Sequence, residues 1–155
     1  MSEPESSART SVAMAIIHQD GKYLMQLRDD IAGIAYPGVW GLFGGHLEPK
    51  ESPEAGLKRE LIEEIGYSVH QLTKFRSMEM DLYVRHFFYC SLTVPVETLE
   101  LNEGWDLKLL TKAEIERGKA YSLQAGANKF LGKIHRQILL DFIAMLESNR
   151  TYFVS

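Results

Sequence analysis

Gly45-His-Leu-Glu-Pro-Lys-Glu51-Ser-Pro-Glu-Ala-Gly-Leu-Lys-Arg59-Glu60-Leu-Ile-Glu63-Glu64-Ile-Gly66-Tyr67 is the stretch on which the reading of this chain turns. Ser52 is a good helix N-cap, and Pro53 suits the first helical position, where its missing N–H costs nothing. Glu54 falls in the first turn, on the favourable side of the helix dipole. Gly66 is placed to end the helix in a left-handed conformation. Within that helix Glu60, Glu63 and Glu64 share a face, being spaced i, i+3, i+4. Ala55, Leu61, Ile62 and Ile65 are expected on the opposite side, against a core.

Like charges at i,i+4 destabilise a helix by a few tenths of a kcal/mol. Lys58 and Arg59 offset only part of that. A solvated acidic face is one reading of the cluster. The other is a site for a hard divalent cation, which takes oxygen ligands and shares phosphate oxygens of a substrate. The flanks favour the second. Gly44-Gly45 follows Trp40-Gly-Leu-Phe43, which reads as a strand, and a glycine pair lets the backbone come close to a ligand. Glu51, just before the N-cap, is placed to pair with Arg59 or to join the metal site.

The stretch resembles the signature of the Nudix hydrolase family. That signature is Gly, five residues, Glu, seven residues, then Arg-Glu-aliphatic-any-Glu-Glu-any-Gly-aliphatic. Gly45, Glu51, Arg59, Glu60, Leu61, Glu63, Glu64 and Gly66 stand in register. Tyr67 replaces the last aliphatic residue, and Phe43 stands where many members carry Pro. The resemblance covers residues 38–67 directly. It implies an α/β fold, an α/β/α sandwich with a mixed central sheet. It further implies metal-dependent hydrolysis of a pyrophosphate linkage in a nucleoside diphosphate joined to another group, with water attacking phosphorus.

On the same resemblance, Glu63 and Glu64 are metal ligands, Glu60 is a further ligand or the general base, and the Gly45 carbonyl completes the set around Mg²⁺ or Mn²⁺. Arg59 pairs with Glu51 and holds the loop on the helix. Glu103 is the second candidate for the base, because Asn102-Glu-Gly-Trp precedes a strand where members often place an acidic residue. Its plain reading is a solvated loop carboxylate. Arg28, Tyr36, Trp40 and Phe43 are candidates for substrate contact, Trp40 or Tyr36 by stacking and Arg28 on a phosphate. Trp40 and Phe43 equally suit a core. Tyr83 lies where some members that cleave dinucleoside polyphosphates carry a tyrosine. His18, His70, His86 and His135 show no zinc-ligand spacing.

Bulk properties agree. The chain has 155 residues, about one domain, with a 45% hydrophobic and 25% charged composition. A net charge of -4 leaves no general nucleic-acid footprint. Cys90, the single cysteine, excludes an intrachain disulfide and is expected as a buried thiol. The start is polar and acidic, without signal-peptide character, and no apolar stretch approaches the ~20 residues a membrane helix needs. A cytoplasmic protein acting on a small molecule is expected, with no nucleic-acid or membrane partner; homodimers are common in the family.

Residues 1–10 read as a disordered tail and 11–155 as one domain. Strands are expected over 11–19, 22–28, 39–43, 68–78, 82–94 and 105–110, with Asp20-Gly21 as a hairpin turn. An acidic loop spans 95–104, and Thr111 caps a short helix running to Gly118. Residues 119–128 read as a small-residue, polar loop, and 130–147 as an amphipathic helix. Two other functions fit the fold. A nucleotide-binding or regulatory module would normally have lost signature carboxylates, and none is lost here. An isomerase would call for a reactive cysteine, whereas Cys90 lies in an apolar run.

Overall fold

A computed structural model describes residues 9–31 and 37–154, with side chains described through residue 149. The expected disordered tail falls almost wholly outside those residues, as does Tyr36. Strand β1 (Thr10–Gln19) is the centre of the fold. It turns through Asp20 and Gly21, both at positive φ, into β2 (Lys22–Leu27). Positive φ at both central residues defines the turn whose twist matches paired strands.

A broken strand follows: β3 (Trp40–Gly41) pairs with β2, and β4 (Phe43–His46) pairs with β1. The single strand expected over 39–43 therefore crosses from one partner to the other at Leu42. The sheet opens between β1 and β2 at that point. Helix α1 (Pro53–Ile65) comes next, then β5 (Thr73–Met80), β6 (Tyr83–Ser91) and β7 (Asp106–Leu110). β6 runs parallel to β1, while the other pairings are antiparallel, which makes a mixed sheet.

β1 is buried on both faces, so its side chains feed two cores. Ala13, Ala15 and Ile17 meet Phe43, Leu57, Leu61 and Ile65 under α1. Ile16 meets Phe87, Trp40, Leu139 and Phe142 under α3 (Lys133–Val154). Helices thus cover both faces, as an α/β/α sandwich requires. Within α1, Leu57, Leu61 and Ile65 bury at i, i+4, i+8, the stripe that packs. Ile62 and Ala55 are exposed, contrary to expectation, because the stripe is centred one position away.

A second correction concerns residues 119–128. They are not a loop: β8 (Lys119–Ser122) pairs with β9 (Ala127–Phe130) in a hairpin after α2 (Lys112–Arg117). Its inward residues, Ala120 and Ser122, are too small and polar to signal a strand. Because β9 takes residues 127–130, α3 starts at Lys133 rather than at 130.

Tyr67, the departure from the family signature, has a structural reason. Its hydroxyl donates to the Ser91 carbonyl at 3.0 Å and accepts from the Thr93 N–H at 3.1 Å. Tyr67→Phe should cost about 1–2 kcal/mol in urea unfolding by leaving Thr93 N–H unpaired. An unchanged midpoint would show that the hydroxyl contributes nothing.

Candidate active site

α1 carries the site because its ends are fixed. Ser52 Oγ accepts from Ala55 N–H at 3.1 Å, and Gly66 closes the helix in the left-handed conformation. Beyond that cap the 100–103 segment ties itself to the helix end. Glu100 N–H donates to the Ile65 carbonyl, Asn102 N–H to Glu64 and Asn102 Nδ2 to Glu63. These bonds satisfy carbonyls that a helix leaves unpaired at its C-terminus. They also bring Glu103 near the carboxylates of α1.

Arg59 organises the opposite flank. Its Nε donates to Glu51 Oε2 at 2.8 Å and its Nη2 to Glu51 Oε1 at 2.9 Å, a two-pronged pair. Nη1 reaches Glu60 at 3.1 Å and Glu63 at 3.4 Å. Glu51 also accepts the Glu48 N–H at 2.8 Å. The Arg59 hydrogen bond first, and the Glu48 amide second, hold the Glu51 carboxyl down to about 2, and the same pairing raises Arg59 further. The expected pairing of Glu51 with Arg59 is therefore present. Gly56 lets the loop dock, since a Cβ there would lie 2.4 Å from Leu47 and 2.8 Å from Glu51.

Glu64 is the unusual residue. Only 4% of its surface is exposed, yet it carries a carboxylate. Burial, and then its contact with Glu60, push its carboxyl well above the usual carboxylate range. Gly44 N–H, 3.4 Å from Glu64 Oε1, opposes this weakly. The glycine pair is required by close approach on both sides. A Cβ on Gly45 would lie 2.7 Å from the Glu60 carboxyl carbon, and one on Gly44 2.0 Å from the Ala13 carbonyl oxygen.

A cavity of about 590 Å³ opens at the split between β1 and β2, past the glycine pair. Its charged lining residues are Asp29, Glu60, Glu64 and Glu103 together with Arg28, Arg85 and Lys133; Arg28 and Arg85 lie beside His135. Gly45, Glu60, Glu64, Glu103 and Arg28 are thus brought together. Glu63 is not brought to the cavity: its side chain is 58% exposed, beside Arg59. Trp40 and Phe43 are corrected as substrate contacts. Both are fully buried in the two cores, and the Trp40 indole N–H is spent on the Ala120 carbonyl at 3.1 Å. Among the described residues no three His, Cys, Asp or Glu side chains are gathered closely enough to hold an ion unaided.

His135 and Arg85 line the cavity and were not anticipated there. His135 Nδ1 accepts the Leu42 N–H at 3.0 Å, and its ring fits against Gly41 and Gly132. Burial first, then the charges of Arg28 and Arg85, push its imidazole down to about 4, so the ring is neutral at pH 7. Arg85 stacks on the Tyr83 ring at 4.9 Å. A signal existed for Arg85: it shares strand parity with Phe87 and so points inward from β6.

The NUDIX domain model matches residues 8–142. The chain belongs to the Nudix family. It is similar to a nucleoside triphosphatase, NudI, of Escherichia coli, with 41% identity over 56 residues. That stretch is 36% of this chain and 39% of the relative, so well under half of the curated relative is matched. Among solved structures, MutT from Aliivibrio salmonicida and Vibrio cholerae superimposes with a TM-score of 0.67 at 22% identity, covering 88% of this chain and 98% of that one. The Escherichia coli ORF135 protein matches with a TM-score of 0.53 at 30% identity, covering 74% of this chain and 83% of that one. No helix among the described residues is long and apolar enough to cross a membrane.

Proposed function

We propose that this Nudix protein hydrolyses a pyrophosphate bridge in a nucleoside diphosphate or triphosphate derivative, using Mg²⁺ or Mn²⁺. The observation that carries the reading is the buried Glu64 carboxylate against Glu60, on a cavity that also presents Arg28, Arg85 and Lys133. Two carboxylates in contact are an unfavourable arrangement that a hard cation relieves, and their all-oxygen chemistry suits it. Glu60, Glu64 and the Gly45 carbonyl would hold the ion. Glu63, on the same helix but exposed and 3.4 Å from Arg59, would join them only by turning its side chain from Arg59 toward the cavity. Mg²⁺ characteristically leaves room for water and substrate phosphate oxygens beside a few carboxylates, which this small ligand set would allow. Bound there, the cation neutralises the phosphates of the bridge.

The chain's own groups do the rest. Arg59 fixes Glu60 and ties it to the Glu51 loop, so the ligand face is set before substrate arrives. Glu103 takes a proton from the attacking water as its oxygen bonds to phosphorus. The bridging P–O bond breaks, and the leaving phosphate carries away the electron pair. Glu103 is preferred to Glu60 because its carboxylate makes no hydrogen bond among the described residues, while Glu60 is engaged by Arg59. A cytoplasmic setting, with its nucleotide pools, suits this activity.

The test is a hydrolysis panel with Mg²⁺, Mn²⁺ or chelator, covering nucleoside triphosphates, nucleotide sugars, ADP-ribose and dinucleoside polyphosphates in ¹⁸O-labelled water. Metal-dependent release with the label on phosphate is the expected result. Tight nucleotide binding without turnover would replace the hydrolase with a binding module.

A further inference from the structure

Arg85 has a buried nitrogen, Nη1, with no hydrogen-bond partner, and the side chain makes no ion pair among the described residues. A desolvated cationic donor left unpaired is expensive unless a ligand supplies the acceptor. Its position is set by the sheet. His46 pairs with Val12 on β4–β1, and Val12 pairs with Arg85 on β1–β6, so the three form one row across the sheet. In-register residues project from the same face. Arg85 therefore sits on the α3 side, two strands from the glycine pair, whereas Gly45 faces Glu60 under α1. The cavity joins the two sides.

The surroundings of Arg85 select an anion. Arg28 and Arg85 both lie close enough to His135 for their charges to add to the burial that keeps its imidazole neutral. With Nδ1 accepting from Leu42, that neutral ring keeps its proton on Nε2 as a donor. Lys133 adds a further positive charge on the same cavity. Guanidinium groups match phosphate oxygens in geometry as well as in charge.

We propose that Arg85, with Arg28 and His135 beside it, binds a second phosphate group of the substrate, separate from the bridge attacked beside Glu60 and Glu64. Arg85 is then a specificity-determining residue, selecting nucleotides that carry a phosphate beyond the attacked pyrophosphate. This rests on the hydrolase reading for its kinetic test. The extra phosphate comes either from the end of a polyphosphate chain or from a phosphorylated ribose.

Three substrates separate the sources: a nucleoside triphosphate, a nucleoside diphosphate with an added ribose phosphate, and a nucleoside diphosphate joined to an uncharged sugar. In Arg85→Gln, the preference for one of the first two over the third, as a ratio of kcat/KM, should collapse roughly 30-fold, the worth of one charge-assisted hydrogen bond. Arg85→Lys, which keeps the charge, should recover part of it. Whichever substrate loses its advantage names the source. Equal loss on all three substrates, or no loss, overturns the proposal. Calorimetry with inorganic tripolyphosphate covers the case in which nothing is hydrolysed. Binding weakened at least tenfold in Arg85→Gln, as judged against folded wild type, keeps the subsite while the hydrolase reading fails; unchanged binding rejects the subsite.

Discussion

Glu64→Gln should abolish turnover and at the same time make the metal-free protein more stable at neutral and alkaline pH. Loss of a ligand removes much of the charge stabilisation that a bound cation gives. That is worth several kcal/mol, hence roughly a thousandfold or more in rate. The stability effect follows from burial. In the folded protein the Glu64 carboxyl is pushed above its ordinary value of 4.5, by burial first and by Glu60 second. The folded state therefore binds a proton that the unfolded chain has released. Stability from this group is fully present below pH 4.5 and is lost as pH rises above it, by at most about 1.4 kcal/mol per pH unit. Glutamine has no proton to lose, so the variant should not show that decline. Thermal unfolding from pH 4 to 9 in chelator checks this, with wild type and variant converging at the acid end. Added Mg²⁺ should raise the wild-type Tm at pH 8 and leave the variant's unchanged, since only a ligand bound by the folded state stabilises it. Parallel pH profiles for the two proteins would sink the idea that Glu64 is a strained, buried carboxylate.

The reach of the sequence in this protein follows the range of the interactions involved. Ser52, Pro53 and Gly66 obey local capping rules, so the limits of α1 could be read directly. Once the helix is fixed, the spacing of Arg59, Glu60 and Glu64, and their relation to Glu51, is fixed too. Asp20-Gly21 set its hairpin for the same local reason. The misreadings arise where residues distant in sequence meet. Trp40 and Phe43 are equally good as pocket or core residues until the split of the sheet turns one under α3 and the other under α1. Burial of Leu57 rather than Ile62 depends on how α1 rolls against β1. Arg85 and His135 reach the cavity through the parallel β1–β6 pairing and the start of α3, and neither carries a local motif. The β8–β9 hairpin forms from Ala120 and Ser122, whose burial is imposed by neighbours rather than by their own apolar surface.

Glu103→Gln should lower kcat by roughly 10²–10⁴-fold, the usual worth of a general base. It should leave the Mg²⁺-induced rise in Tm intact. Glu60→Gln should lower kcat and weaken that rise together, if Glu60 serves as the ligand proposed above. The separation matters because both carboxylates line the same cavity, and activity alone would not tell a base from a ligand. The hydrogen bonds are the ground for proposing different roles. Glu60 is gripped by Arg59 at 3.1 Å and meets Glu64, so it belongs to the rigid face of α1. Glu103 is held through its backbone, its carbonyl accepting from Gln26 Nε2 at 2.6 Å and its neighbour Asn102 bonded to the end of α1. A residue anchored by its main chain, with its carboxylate left unbonded, can receive a proton without disturbing the ligand face. A Glu103→Gln variant that kept more than about a tenth of the wild-type rate would return the base to Glu60. The segment at 100–103 would then serve only to cap α1.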